Sequence, residues 1–430
     1  MSEVIAKEIK KGIKLHIVET DLFKSNVISI YFTLPLKRED VTKNSLLTLM
    51  LKNGGKKYPT QYDVSRKLDK MYGACLSFGI TKRGDNQILR FYIDAINNEY
   101  TFDKEDLIKE SLELLFDIIF NPNTNEDGSF KDELLDIEKN NLRNIIEASK
   151  DDKDSYAFDR CTEEMYNHDG YGLNKYGLIE DIDKVDGRTL REAYEKAIRE
   201  AKIDIFISGK VNEKEINESI SELEAIKNLN EREGFFNRYD TEKIALDTPK
   251  TIEEKLNVVQ GKLVIGLDCL KTTDNYRISG LVFDNILGNG PNSMMFQNVR
   301  EKEGLAYSAR SMFVYPKMNT FIRLGILSEN YEKALKLSLK QIENIKEGKF
   351  SEEDLINAKT YLKAGIRSIK EDQDAMLFYY YGQELSNEPI SLEEYERLVE
   401  AVTREEVIEF AKGVKVNTIY YLNAIKELGE

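Results

Sequence analysis

Histidine is almost missing from this 430-residue chain: His16 and His168 are the whole supply, and they stand far apart. Zinc sites draw on clustered histidine or cysteine. His16 alternates within a strand-like run and reads as a half-buried strand residue, while His168 sits in a loop-like Asn-His-Asp-Gly-Tyr-Gly stretch, so neither is expected to hold a metal. Cysteine is equally scarce. Cys75, Cys161 and Cys269 form no Cys-x-x-Cys pair, which argues against a disulfide framework or a thiolate zinc site and fits a reduced cytoplasm. The most apolar early run, residues 26–36, is closed by Lys24 and Lys37 and is too short to span a bilayer. The start Met1-Ser2-Glu3-Val4 is acidic, unlike a signal peptide. A surplus of positive charge is absent as well. A net charge of -15 and a pI near 5.0 leave no clustered Lys and Arg for nucleic-acid phosphates, and make neutral or basic peptide segments the more natural partners. There is no P-loop and no Gly-x-Ser-x-Gly elbow. Gly288-x-Gly290 lacks the third glycine of a dinucleotide fingerprint, and no spacing brings a histidine to a serine or cysteine nucleophile.

What is there is enough chain for two domains, with 41% hydrophobic residues to fill their cores. Residues 3–36 alternate as paired strands around a Lys24-Ser25-Asn26 turn. A helix at 43–52, a second running to Tyr72 and strands at 74–81 and 87–94 follow. Leu107, Leu112, Leu114, Leu115, Ile118 and Ile119 mark a helix face. Residues 130–166 read as one long charged helical stretch. A helix at 188–199 then leads into an apolar strand at 203–207. The second half repeats this plan. Gly73-Ala74-Cys75-Leu76-Ser77 overlays Gly304-Leu305-Ala306-Tyr307-Ser308 at an offset of 231, and Phe130, Glu133, Leu135, Lys139 and Leu142 recur as Phe350, Glu353, Leu355, Lys359 and Leu362 at an offset of 220. The expected fold is α+β. It comprises two homologous lobes, each a mainly antiparallel sheet covered by helices, in a clamshell arrangement: residues 1–226, a linker at 227–255 without periodicity, and residues 256–430.

One stretch of the second lobe, residues 287–311, reads as glycine loop, helix, tight stop, strand. Gly288 and Gly290 open the loop, Asn292 or Ser293 can cap the helix, and Gly304 ends it one turn after Arg300. Tyr307 then begins a strand, so that Arg300 and Tyr307 can face one cleft. Spacing alone suits an ordinary C-terminal helix cation and an ordinary strand aromatic just as well.

Arg300-Glu301-Lys302-Glu303-Gly304-Leu305-Ala306-Tyr307-Ser308, after a Gly-rich loop and Ser-Met-Met-Phe-Gln, resembles the second-lobe signature of the M16 (insulinase and mitochondrial-processing-peptidase) family. The resemblance implies that Arg300 and Tyr307 hold substrate and steady the oxyanion across from a first-lobe zinc site, with Gly288, Asn289, Gly290 and Ser308 at the substrate. The family's zinc motif is His-x-x-Glu-His, two imidazoles at i and i+4 with a glutamate base, plus a later glutamate ligand. Its anchors survive here as Met50-Leu51-Lys52-Asn53-Gly54, but Ser45 and Leu49 fall on the histidines and Thr48 on the base. None of these does that chemistry. Glu138 and Glu147 represent the third-ligand region with nothing to complete. Asn289 departs from an all-glycine loop, and Met294-Met295 from the usual small-basic pair.

A retained Arg/Tyr pair beside an erased zinc motif resembles the zinc-less subunit of the family's bacterial two-subunit class, some members of which carry labels linking them to elongation factor P modification or peptide maturation. The resemblance implies no cofactor in this chain and no activity alone. It implies zinc only in an M16-type His-x-x-Glu-His partner, a peptide substrate, and catalytic help in trans from Arg300 and Tyr307. A peptide-binding or chaperone-like module and a scaffold protein remain as alternatives.

Overall fold

The computed structural model describes residues 4–167, 170–233, 236, 248–271, 275–386 and 388–425. The chain divides into two compact units, the first made of Met1–Glu147, Leu173–Asn237 and Asp372–Tyr381, the second of Ala148–Gly172, Arg238–Glu371 and Gly382–Glu430.

The first unit is a six-stranded sheet of β1 (Val4–Lys10), β2 (Ile13–Glu19), β3 (Ser25–Pro35), β4 (Cys75–Arg83), β5 (Asn86–Ile96) and β6 (Lys202–Gly209), in the order β1-β2-β6-β3-β5-β4. Only β2 and β6 run parallel. β2 and β3 are therefore not the pair that their sequence suggested, because β6 lies between them. Every residue of β6 is buried, as a strand with neighbours on both sides requires, and its Lys-Ile-Asp-Ile-Phe-Ile run carries no local mark of where it inserts. Alternation sends Ile28, Ile30, Phe32 and Leu34 to a core shared with the Val41–Leu51, Leu107–Phe120 and Gly187–Glu200 helices. Tyr31 and Thr33 go to the other face, where Tyr381 stacks on Tyr31 at 3.9 Å and bonds the Thr33 hydroxyl at 2.7 Å.

Among the described residues the second unit repeats this topology without a counterpart of β1. β7 (Lys250–Leu256), β8 (Gly261–Cys269), β9 (Ala306–Val314), β10 (Asn319–Ile326) and β11 (Val414–Ala424) lie in the order β7-β11-β8-β10-β9, and only β7 and β11 are parallel. Two mainly antiparallel sheets of the same plan make the α+β repeat explicit. β4 and β9 are each nine residues long and start 231 residues apart, the offset visible in sequence.

The charged stretch at 130–166 is two helices, Asp132–Ala148 and Lys153–Met165, rather than one. Asp152 breaks it by accepting the Asp154 and Ser155 N–H groups as an N-cap. The second of these helices packs on β8, β10 and β11, so it belongs to the second unit. Its counterpart 220 residues on, Gln373–Glu384, gives its first part to the first unit. The expected linker at 227–255 is described only in part: 234–235 and 237–247 lie outside the described residues, and from Lys250 the chain is already strand β7. The Glu-rich alternation of β7 is too polar to stand out as a strand. Among the described residues no helix is long and apolar enough to cross a membrane.

Candidate functional site

In the second unit the Tyr276–Leu287 helix ends where the N–H groups of Gly288 and Asn289 both return to the Asp284 carbonyl, at 2.8 and 3.0 Å. Gly288 then passes flush against β9. A Cβ there would fall 2.5 Å from the Ser311 nitrogen, so no other residue fits without moving backbone. Gly290 has φ +130°, and the space over it is bounded by the Tyr361 ring, 3.7 Å from an imagined Cβ. Ser293 does not cap the next helix as expected. Its buried hydroxyl donates back to the Gly290 carbonyl at 2.7 Å and tightens the loop.

Residues Met295–Lys302 wind as a π-helix, a rare, wide-turned form frequently found at functional sites. Arg300 lies in its last turn. Its guanidinium rests 4.5 Å over the Phe296 ring, with Nε 3.5 Å from the Glu301 carboxylate and 40% of the side chain exposed. The π-helix packs on β9, where Tyr307 is 58% exposed and its hydroxyl has no partner among the described residues. Ser308 is partly committed: its oxygen accepts the Gly325 N–H at 3.1 Å, filling the irregularity where the β9/β10 register shifts. Asn289 and Gly290 are half-buried and Gly288 buried.

Beneath this loop lies a group that sequence reasoning missed. Asp284 is fully buried, accepts the Ser311 hydroxyl at 2.6 Å and also takes the Phe313 N–H. Burial pushes its carboxyl up to about 7, and the two hydrogen bonds offset only part of that. An acidic residue inside Val-Phe-Asp-Asn-Ile-Leu is the one signal the sequence offers, and it does not tell a buried carboxyl from a solvated one.

The first-lobe positions form a different kind of place. Ser45, Thr48 and Leu49 all lie on the Val41–Leu51 helix. Ser45 Oγ donates to the Val41 carbonyl at 3.0 Å and the Lys175 carbonyl at 3.2 Å, and accepts Gln87 Nε2 at 3.2 Å. Thr48 Oγ1 donates to the Asn44 carbonyl at 2.9 Å, and Leu49 packs against the core. Glu138 is buried, with one oxygen taken by Asn53 and the other by Asn141, each at 2.9 Å, whereas Glu147 is exposed on the same helix. These residues do not fit a zinc ion. The hydroxyls are spent on helix carbonyls, no imidazole is present, and the one buried carboxylate is already satisfied. His16 is more deeply buried than its strand pattern suggested: Nε2 lies 3.1 Å from Asp204 and the ring stacks on Phe206 at 4.1 Å. His168 lies outside the described residues.

Comparison with known proteins agrees with first-lobe positions that do not fit a catalytic zinc. Residues 184–362 match the family model described as the Peptidase M16 inactive domain. The chain is 30% identical over 413 residues to the probable inactive metalloprotease YmfF of Bacillus subtilis, covering 96% of each. A solved structure of a conserved protein from Enterococcus faecalis superposes with a TM-score of 0.91 at 28% identity over 100% of both chains. A peptidase M16 inactive domain from Pseudomonas fluorescens superposes with 0.80 at 18% identity, again over 100% of both.

Proposed function

Because this chain belongs to the M16 peptidase family and stands beside an inactive member of it, we propose that it is the non-catalytic subunit of a heteromeric M16-type zinc peptidase. In this reading it lends Arg300 and Tyr307 in trans to a partner bearing His-x-x-Glu-His, in peptide processing or degradation. Tyr307 donates its O–H to the oxyanion that develops at the scissile carbonyl. Arg300 holds a substrate carbonyl or carboxylate through its planar fork. The loop Gly288-Asn289-Gly290 and Ser308 line the path of the peptide.

The observation that carries this reading is an asymmetry of commitment. The first-lobe metal positions are closed into internal hydrogen bonds, while among the described residues Tyr307 keeps a free hydroxyl and Arg300 a guanidinium engaged only by its neighbours Glu301 and Phe296. A residue kept exposed and unpaired on a packed framework suits a ligand better than a structural duty.

The test is cleavage of an internally quenched peptide by the zinc-bearing partner, titrated with this chain as wild type, Arg300→Ala and Tyr307→Ala. Activity that needs wild-type chain, saturates near one to one and falls about 10²- to 10³-fold with Tyr307→Ala supports the proposal. A partner equally active alone, or variants that sustain full turnover, leaves a peptide-binding or scaffold protein with no catalytic share.

A further inference from the structure

The two units hold one latch in two forms. In the first unit Arg90 on β5 meets Asp374 in the first turn of the Gln373–Glu384 helix. Nη1 donates to Oδ2 at 3.1 Å, Nη2 donates to Oδ1, and Nε donates to the Ser29 hydroxyl at 2.8 Å. Fork and carboxylate are matched prong for prong. The 220-residue offset carries Asp374 to Asp154, and strand pairing carries Arg90 to Arg323. Arg90 lies opposite Gly79 on β4, Arg323 lies opposite Arg310 on β9, and positions 79 and 310 stand at the 231-residue offset.

The copy is not faithful. Arg310 occupies the place of Gly79, and both Arg310 and Arg323 donate Nη2 to the same oxygen, Oδ2 of Asp154. Arg323 is nine-tenths buried and lies 4.9 Å over the Phe158 ring, and its Nε has no partner among the described residues. Arg310 is 58% exposed. Two guanidinium groups thus compete for one carboxylate oxygen, with donors left over. Burial, followed by the Arg310 charge, opposes the protonated form of Arg323, while Asp154 favours it. The latch itself does not need the second arginine. In the first unit it closes with Gly79 at that position and nothing within 4 Å of where a Cβ would stand.

We infer that Arg310 and Arg323 form a receptor for a carboxylate carried by an extended peptide on β9, so that Arg310 selects substrates by charge. The inference rests on the substrate-binding reading given above and names a chemical class for its substrate. β9 is the outer strand of its sheet. The Lys153–Met165 helix covers β11, β8 and β10, and leaves Ser308, Arg310 and Met312 exposed along β9. The edge itself is taken beside this face, where the Ser311 N–H donates to the Gly288 carbonyl and the Phe313 N–H to Asp284, so the peptide lies across the exposed face rather than pairing with the strand, with Arg310 three residues from Tyr307. The chain's net charge of -15 disfavours strongly acidic peptides at long range, so the receptor suits one carboxylate on an otherwise neutral or basic peptide. That carboxylate is either an acidic side chain or the peptide's own C-terminus.

The test uses the whole chain without partner or zinc, and fluorescein-labelled peptides of one neutral sequence in three forms. One carries a single Glu with an amidated end, one carries Gln at that position with an amidated end, and one carries Gln with a free C-terminal carboxylate. Fluorescence anisotropy at low salt is expected to show at least one carboxylate form binding about 10- to 100-fold more tightly than the Gln amide. Which form gains identifies the source. Arg310→Gly, which recreates the first unit's arrangement, should stay folded with only a small drop in unfolding temperature and bind all three peptides alike, while Arg310→Lys keeps part of the preference. Equal binding of the three peptides to wild-type chain overturns the inference, and so does a preference that survives in Arg310→Gly. Loss of association with the zinc-bearing chain in Arg310→Gly, with peptide preference intact, also overturns it and makes Arg310 a subunit contact. Failure of the trans-catalysis reading looks different: Arg300→Ala and Tyr307→Ala leave turnover unchanged while the charge preference persists.

Discussion

Asp284 offers a perturbation whose size and sign both follow from its surroundings. Its carboxyl titrates at about 7 in the folded chain, against 3.8 for an unhindered aspartate. A pKa raised by folding means that the folded state holds the proton more tightly. The associated stability is complete below pH 4, declines as pH rises through the interval to about 7, and is gone above it. At roughly 1.4 kcal/mol per pH unit, the full interval is worth about 4 kcal/mol, an upper value because water entry and local movement relieve part of the burial. Asp284→Asn removes the titration. The amide oxygen still accepts the Ser311 hydroxyl, but the NH₂ group gains a buried donor with no evident acceptor, which costs about 1–3 kcal/mol. The two stability profiles should therefore cross, with wild type the more stable near pH 5 and the variant equal or better near pH 8. Hydrogen exchange read on peptides covering 284–292 and 309–314 measures this locally. Comparing variant with wild type cancels the opposite trend from carboxylates whose pKa folding lowers, such as Asp152 and Glu254. Parallel profiles from pH 5 to 8 would refute the reasoning and show that Asp284 is hydrated.

Gly288→Ala should displace the loop or cost about 1–3 kcal/mol, because the new methyl lands on the Ser311 backbone; thermal unfolding reads the cost. Glu254→Gln weakens the acceptor shared by Tyr156, Tyr420 and Arg160 and should lower the second unit's stability by about 1–3 kcal/mol, seen as faster exchange in β7 and β11. A chelator should leave the unfolding temperature of this chain unchanged, since Ser45, Thr48 and Glu138 are held by the protein itself; a drop would show a metal bound in the fold.

The repeat was legible because β4 and β9 kept the same length and the same leading glycine, and the Arg300/Tyr307 stretch because a nine-residue run resembles a family signature. Periodicity found the longer helices of the first lobe, since burial of one face is written into spacing. It did not find that β6 separates β2 from β3, because a strand carries no local mark of its neighbour. Nor did it separate Asp132–Ala148 from Lys153–Met165, because both have the same charged face and only the Asp152 cap divides them. Asp284 was hidden because a carboxyl's pKa depends on what covers it. Arg310 and Arg323 became a pair only once the β9/β10 register was known.

The assignment of Lys153–Met165 to the second unit and of 372–381 to the first bears on synthesis at the ribosome. Domains made early usually fold as soon as they emerge. Here the first sheet, complete in its strands once Gly209 is made, still lacks Tyr381 on Tyr31 and Asp374 on Arg90. The nascent chain must carry that uncovered aromatic face through the translation of some 170 further residues, count taken from Gly209 to Tyr381. Expressing residues 1–226 alone would leave the same face bare for good, so a soluble first lobe calls for residues 372–381 to be supplied with it.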